Sequence, residues 1–304
     1  MPTYRILALD GGGIRGIYTA VLLQRLAQQV PGFTDRADLL AGTSTGGILA
    51  LGLARGISIS DLIALYQDRG TEIFSRSLWH KIRDVGELLG PKYDNKNLAH
   101  LAQAAFGNAT LNDLLPRYVL IPSFDLDSQA APPAPRMWKA KFFHNFAGPD
   151  SDGNQKILDV ALRTSAAPTY FPVYQGYVDG GVIANNPSMA ALAQALDAAT
   201  GKQQLANLRL FSVGTGVTPA YIAGDHLDWG LAQWAPRLAD MMLEGGMGVA
   251  DYECARLLGP NYFRLAPVLP EPVPLDCAEK IPELTAYAKR VDITAAVAWL
   301  KANF

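Results

Sequence analysis

Histidine and cysteine are scarce in this chain, with four of the first and two of the second among 304 residues. Cys254 and Cys277, with no CxxC spacing, supply neither a four-ligand zinc site nor a disulfide framework. They read as incidental thiols of a reducing compartment. No metal is expected. A run of about 18 uninterrupted apolar residues is also lacking, which excludes a conventional transmembrane helix. The first residues, Met1 to Arg5, lack a basic segment followed by a long apolar one, so no signal peptide is expected. Excess charge is missing too: 26 Lys and Arg stand against 28 Asp and Glu, a formal charge of −2. That balance gives no drive toward nucleic acid or an acidic membrane. Apolar residues make up 49% and charged residues 18%, enough for a buried core and too apolar for disorder. The expectation is a soluble, cytoplasmic globular protein. One domain over residues 1–304 is the better reading, because large α/β units reach this length. Its motif-bearing core spans about 4–215 and a mainly helical part about 225–304.

Residues 4–9 form a short apolar run that stops at Asp10 and three glycines, as a buried strand does at a tight turn. From Ile14 to Val30 the apolar residues repeat at helical spacing, ended by Pro31-Gly32. The segment 38–41 then runs into Gly42-Thr43-Ser44-Thr45-Gly46-Gly47, and a second helical run over 48–54 follows. Strand, glycine turn and helix thus occur twice in 56 residues, which points to an α/β fold with a largely parallel sheet. Further helices are expected over 60–90, 98–106, 111–115 and 157–165, and strands over 118–122, 137–143 and 208–213. The last third reads as helical or irregular, with a final helix over about 283–302.

Three glycine-bearing sites can carry chemistry. Gly42-Thr43-Ser44-Thr45-Gly46 matches G-x-S-x-G, in which a sharp strand-to-helix turn projects the serine oxygen and glycines stand where side chains would collide. About 0.1 such matches arise by chance at this composition, so the flanking strand and helix carry the weight. A serine that merely caps a helix is the plain alternative. Asp10-Gly11-Gly12-Gly13-Ile14-Arg15-Gly16 satisfies G-x-G-x-x-G after a strand and before a helix. It reads as an oxyanion hole of backbone amides with Arg15 adding field, as a simple tight turn, or as a dinucleotide loop for an oxidoreductase. Against the last, Asp10 would set a negative charge beside a pyrophosphate, and Asp35 and Asp38 precede the second strand where an acid should end it. Asp179-Gly180-Gly181, at the end of a short apolar run, is either a turn aspartate or a base for the serine. With an ordinary pKa near 4, Asp179 serves as a base only if it is held against the serine in a poorly solvated site.

Histidine is the usual proton acceptor, and Ser44, Asp179 and His226 follow the α/β-hydrolase order of a triad. Only one strand and helix precede Ser44, however, and His226 sits in the polar loop Gly224-Asp225-His226. His80 and His100 lie on helical stretches, and His144 follows Phe142-Phe143.

Taken together, the three motifs resemble the patatin-like phospholipase family: D-G-G-G-x-R-G, G-x-S-x-G and D-G-G, in this order. Two more segments, Ser165-Ala166-Ala167-Pro168-Thr169-Tyr170-Phe171-Pro172 and Tyr93-Asp94-Asn95-Lys96-Asn97-Leu98, also resemble family members, and the likeness runs from about residue 4 to 265. The resemblance implies a three-layer α/β/α fold with a largely parallel central sheet and a Ser–Asp dyad without histidine. Ser44 would be the nucleophile and Asp179 the base. Gly11, Gly12, Gly13 and Arg15 would form the oxyanion hole, with Asp10, Gly16, Gly42, Gly46, Gly180 and Gly181 as motif support. It implies hydrolysis of acyl-ester bonds in phospholipids or other lipids, with no cofactor. An acyltransferase would use the same acyl-enzyme with another acceptor, and some bacterial members act as toxins or nucleotide-signalled effectors.

An apolar route for acyl chains has two candidates. One is Ile73, Phe74, Leu78 and Trp79, interleaved with Arg76, Lys81 and Arg83; the other is Trp229, Leu231, Trp234, Leu238, Met241 and Met242. Such stripes belong either to an interfacial surface that contacts membranes peripherally or to ordinary core packing. The partner expected is a lipid and no nucleic acid polymer, and self-association into a homo-oligomer is left open.

Overall fold

A computed structural model of the chain describes residues 2–73, 91–224 and 227–304. Its elements in chain order are β1 (Tyr4–Leu9), α1 (Gly16–Gln29), β2 (Leu39–Gly42), α2 (Thr45–Ala54), α3 (Ile59–Ile73) and α4 (Lys96–Phe106). Then come β3 (Tyr118–Asp125), β4 (Lys139–His144), α5 (Ile157–Thr164), β5 (Tyr177–Asp179), α6 (Gly181–Ala184) and α7 (Ser188–Leu196). The chain closes with β6 (Leu208–Val213), α8 (Leu231–Leu258), β7 (Tyr262–Leu265), α9 (Ile281–Arg290) and α10 (Thr294–Asn303).

The sheet has the order β4-β3-β2-β1-β6-β7, with β5 also paired to β3. Pairs β1–β2, β1–β6, β2–β3 and β6–β7 are parallel, and β3 pairs antiparallel with both β4 and β5. Central strands read as continuous apolar runs because both their faces are covered. Leu7 and Leu9 of β1, Leu40 of β2 and Phe211 and Val213 of β6 enter one core with α1, α2, α9 and α10. The alternate residues Ile6, Ala8, Leu39, Ala41, Leu208 and Leu210 enter a second core with α7 and the end of α8. That period-two division makes the three-layer α/β/α fold expected from the sequence. No helix among the described residues is long and apolar enough to cross a membrane.

Differences from the sequence reading lie mainly in the last third. The helix expected over 283–302 is broken into α9 and α10 at Val291, which is extended, and Asp292 Oδ1 accepts the Thr294 N–H at 2.9 Å to start the next helix. β7 was not expected. It is four residues long and exists because the outer edge of β6 offers unpaired backbone groups. Of the helix expected over 60–90, α3 occupies the part to Ile73, and 74–90 lie outside the described residues.

The sheet also determines where the candidate residues meet. β3 uses one edge for β4 and the other for two partners in succession: β2 against Tyr118–Leu120, then β5 against Ser123–Asp125. β2 runs with β3 and β5 against it, so their ends at Gly42 and Asp179 approach each other across the Ile121–Pro122 stretch. Two segments 137 residues apart (179 less 42) thus end in the same gap.

Candidate active site

Ser44 follows β2 and precedes α2 with φ 54° and ψ −123°, a left-handed conformation that side chains avoid at roughly 1–3 kcal/mol. Its neighbours hold it there. The Ser44 N–H donates to Thr164 Oγ1 at 3.0 Å, and that hydroxyl donates to the Pro122 carbonyl at 2.6 Å. Thr43 Oγ1 donates to the Ala184 carbonyl at 2.6 Å. A Cβ on Gly42 would stand 2.1 Å from the Gly46 carbonyl oxygen, and one on Gly46 would stand 2.3 Å from that of Leu9. The glycines are where β1, β2 and the first turn of α2 come too close for any side chain.

Ser44 Oγ donates to Asp179 Oδ2 at 2.6 Å, and the other carboxylate oxygen, Oδ1, accepts the Gly181 N–H at 2.7 Å. Asp179 is buried. Burial pushes its carboxyl up from 3.8 to about 6, with the bonds from Ser44 and Gly181 pulling back only in part. An ordinary aspartate is too weak a base near neutrality, and this one is tuned toward the range a proton acceptor needs.

Beside the serine runs the glycine loop after β1. Its Gly11 N–H donates to the Asn185 carbonyl at 2.9 Å and so is not free for an oxyanion. Gly12 and Gly13 line the cavity next to Ser44, and among the described residues neither amide donates to a backbone carbonyl. Gly13 has φ +58°, and a Cβ there would lie 2.2 Å from the Leu275 carbonyl oxygen. A Cβ on Gly12 would strike Thr215, whose Oγ1 donates to the Gly11 carbonyl at 2.9 Å. The loop therefore sits between the ends of β1 and β6, where the strand order turns from one side to the other and α/β sheets open a ligand crevice. Arg15 is buried on the same wall and donates from Nη1 to Thr218 Oγ1 at 2.6 Å.

Asp10 does not face the cavity. It is fully buried and takes two bonds from Arg264 of β7, at 2.5 and 3.2 Å, while the same guanidinium reaches Ser212 Oγ at 2.7 Å. Burial raises the Asp10 carboxyl and the guanidinium pulls it down, so the charge depends on its partner. Asp10 thereby pins the root of the glycine loop. The second strand ends on Gly42, without the carboxylate that a dinucleotide site places there.

The cavity has a volume of about 590 Å³, the size of a small-molecule site. Much of its wall is apolar, including Ile48, Leu98, Phe171, Met242, Leu243 and Leu275. The two extra family-like segments meet at its rim. Lys92 and Tyr93 donate from their N–H groups to the Thr169 and Tyr170 carbonyls at 2.9 and 2.8 Å, and Asn95 Nδ2 reaches the Pro172 carbonyl at 3.2 Å. Ser165 Oγ lies buried in the wall with no partner among the described residues. Tyr66, its hydroxyl pushed up to about 12 by burial, shares a hydrogen bond with Thr45 Oγ1 behind Gly16.

Of the histidines, His80 and His226 lie outside the described residues. His100 is exposed on α4, and His144 is buried with Nε2 3.5 Å from Asp150; neither lines the cavity. Among the described residues no group of three or more His, Cys, Asp or Glu side chains is placed to hold a metal ion. Phe74, Arg76, Leu78, Trp79, Lys81 and Arg83 lie outside the described residues. In the other apolar candidate, Leu231, Leu238, Met241 and Met242 are exposed, so they are not core. Sequence reasoning missed Thr164, Asn185, Thr215 and Arg264. Only Asn185, in Asn185-Asn186-Pro187, and Thr215, between two glycines after a strand, carried any local signal.

A model of the family described as patatin-like phospholipase matches residues 7–192. A "cGAMP-activated phospholipase" of Pseudomonas aeruginosa is 35% identical, over 87% of this chain and 78% of the relative. "Patatin-like protein 2" of Arabidopsis thaliana is 30% identical, over 77% of this chain and 66% of the relative. Among solved structures, VipD of Legionella pneumophila aligns over 100% of this chain and 67% of its own, with 11% identity and a TM-score of 0.40.

Proposed function

We propose, from the premise that the chain belongs to the patatin-like phospholipase family and is thus a lipid acyl hydrolase, that Ser44 and Asp179 cleave fatty-acyl esters as a two-residue catalytic unit. The observation that carries this reading is the 2.6 Å bond from Ser44 Oγ to a buried, basicity-raised carboxylate at the wall of an apolar cavity.

Ser44 Oγ attacks the ester carbonyl carbon as its proton passes to Asp179 Oδ2. The oxygen that gains negative charge is met by the Gly12 and Gly13 amides, by the positive end of α2 and by the field of Arg15. Gly11, whose amide is held by Asn185, sets the path of the loop. The carbon–oxygen bond to the alcohol or lysolipid then breaks, and Asp179 returns the proton to that oxygen. Water enters, gives a proton to Asp179 and attacks the acyl carbon; the bond to Ser44 Oγ then breaks, Asp179 passes that proton to Ser44 Oγ, and the fatty acid leaves with the serine restored. Asp179 can do what an imidazole usually does because burial has moved its proton affinity toward neutrality.

Incubating wild type and Ser44→Ala with mixed phospholipids, and identifying released fatty acids and lysolipids by mass, tests the reading. Equal release by Ser44→Ala refutes it. Loss of activity in His226→Ala would put the Ser44-Asp179-His226 triad in its place, and an acyl product on an added alcohol would mark an acyltransferase.

A further inference from the structure

Among the described side chains of α8, the buried ones all lie in its second half. Its second half seats Met247, Ala250, Cys254 and Leu258 against the body at three- and four-residue spacing. Between Leu231 and Gly246 no described side chain is buried. On that half, Leu231, Trp234, Leu238 and Met241 recur at three- and four-residue spacing, which sets them on one stripe. Leu231 is 79% exposed, and Leu238 and Met241 are exposed as well. Trp234 meets Trp229 edge-on at 5.2 Å, and the Arg237 guanidinium lies 4.8 Å over the Trp229 ring. Gly245, Gly246 and Gly248 join the two halves, and nothing lies within 4 Å of where their Cβ atoms would be. They answer to no packing demand, and they make the joint a weak stretch of helix.

The stripe leads into the catalytic cavity. Met242 is 63% exposed and also lines that cavity, and Val182 shares both properties. The adjacent Leu243 lies over Gly181, next to Asp179, with its Cδ2 3.0 Å from where a glycine-replacing Cβ would sit. This continuity decides between occupants. A second protein chain on the stripe would cover Met242 and Val182 and close the mouth of the cavity. A lipid surface leaves a path from its own acyl chains to Ser44. Charge narrows the class of surface: residues 227–246 carry Asp228, Asp240 and Glu244 against the single cation Arg237. Such an element gains nothing from anionic headgroups, and its affinity comes from apolar burial.

We infer that the first half of α8 is an interfacial element, which seats Leu231, Trp234, Leu238 and Met241 in a zwitterionic lipid surface and brings the cavity mouth to it. The inference rests on the lipid acyl hydrolase reading. Its test is co-flotation of Ser44→Ala protein with phosphatidylcholine vesicles at low and high salt. Binding should be present at both salts. Adding Leu231→Glu, Leu238→Glu and Met241→Glu should lower the bound fraction by about tenfold or more. In the Ser44 background the same three changes should leave cleavage of a soluble short-chain ester unchanged. Circular dichroism and a melt verify folding, and Leu238→Gln alone, a milder change, should weaken binding in the same direction. Undiminished binding by both variants, or a wild-type protein that does not float, overturns the inference. So does a dimer in sedimentation velocity that the triple variant converts to monomer, since the stripe then belongs to a second copy. Vesicle binding without cleavage of any ester would overturn the functional reading and leave the interfacial role standing.

Discussion

Replacing Asp179 by asparagine removes a charge that the fold holds at a cost. Asparagine keeps both hydrogen bonds, because its Oδ1 can accept the Gly181 N–H and its amide can donate to Ser44 Oγ. What changes is the energy of ionisation. In the native protein the carboxyl titrates at about 6 against 3.8 ordinarily, so the folded state binds its proton more tightly than the unfolded chain does. Between those two values the native state holds more protons. Stability therefore falls as pH rises through the window and stays at its lower level above it. At about 1.4 kcal/mol per pKa unit, the difference comes to about 3 kcal/mol at neutral pH. With the entropy of unfolding typical of a chain this long, that is roughly 5 °C in Tm. Asp179→Asn should thus be inactive yet more stable than wild type at about pH 8, and the advantage should vanish below about pH 4. Thermal or urea melts of both proteins across this range provide the measurement. A constant difference, or an Asp179→Asn protein less stable at neutral pH, would refute the claim that a costly buried carboxylate sits at this site.

The same titration should appear in catalysis: kcat/KM for a soluble ester should rise with pH through about 6 and then level off, because the base must be ionised to take the Ser44 proton. A flat profile down to about pH 5 would contradict that role for Asp179. Thr164→Val removes the acceptor of the Ser44 N–H while keeping the shape of the side chain, and should lower kcat by about tenfold with little change in KM. If KM alone moves, Thr164 does not hold the serine turn. Arg264→Ala leaves Asp10 buried and unpaired and should destabilise the protein by about 3–5 kcal/mol in urea melts, part of which Asp10→Asn in the same chain should restore. Additive losses in that pair would argue against a coupled anchor.

Burying Asp179 illustrates a wider trade in this fold. The strained Ser44 turn, the desolvated carboxylate and the cavity each raise the energy of the native state. Two apolar layers, one on each face of the sheet, offset them. The proposed catalytic residues stand on the ends of strands, where those layers hold the backbone in place.

Local physics was legible in the residues. Apolar runs ending in glycine gave β1 and β2, and the spacing from Ile14 to Val30 gave α1 with its start displaced by two residues. Ser44, Asp179 and the glycine loop could be picked out because their three motifs, each alone also fitting an ordinary turn or cap, stand together in the order that resembles the patatin-like family. Other features were not legible because they depend on distant partners. Asp10 could be read only as support for the glycine motif, and only Arg264, 254 residues away, makes it a structural anchor. The stripe on α8 fits core packing and surface equally well by spacing alone, and its exposure is a property of what does not pack against it.

By itself, then, the sequence determined the α/β class with a largely parallel sheet and the glycine turns, since these follow from periodicity and sterics within a few residues, while the layers and the roles of Ser44 and Asp179 were implied by the family resemblance. Tertiary structure alone decided that β2 and β5 end in one gap along β3, that Asp179 loses its water and rises to about 6, and that the Gly11 amide is held by Asn185 while Gly12 and Gly13 line the cavity. Proximity and desolvation are set by which strands become neighbours, and no short stretch of chain encodes its neighbours.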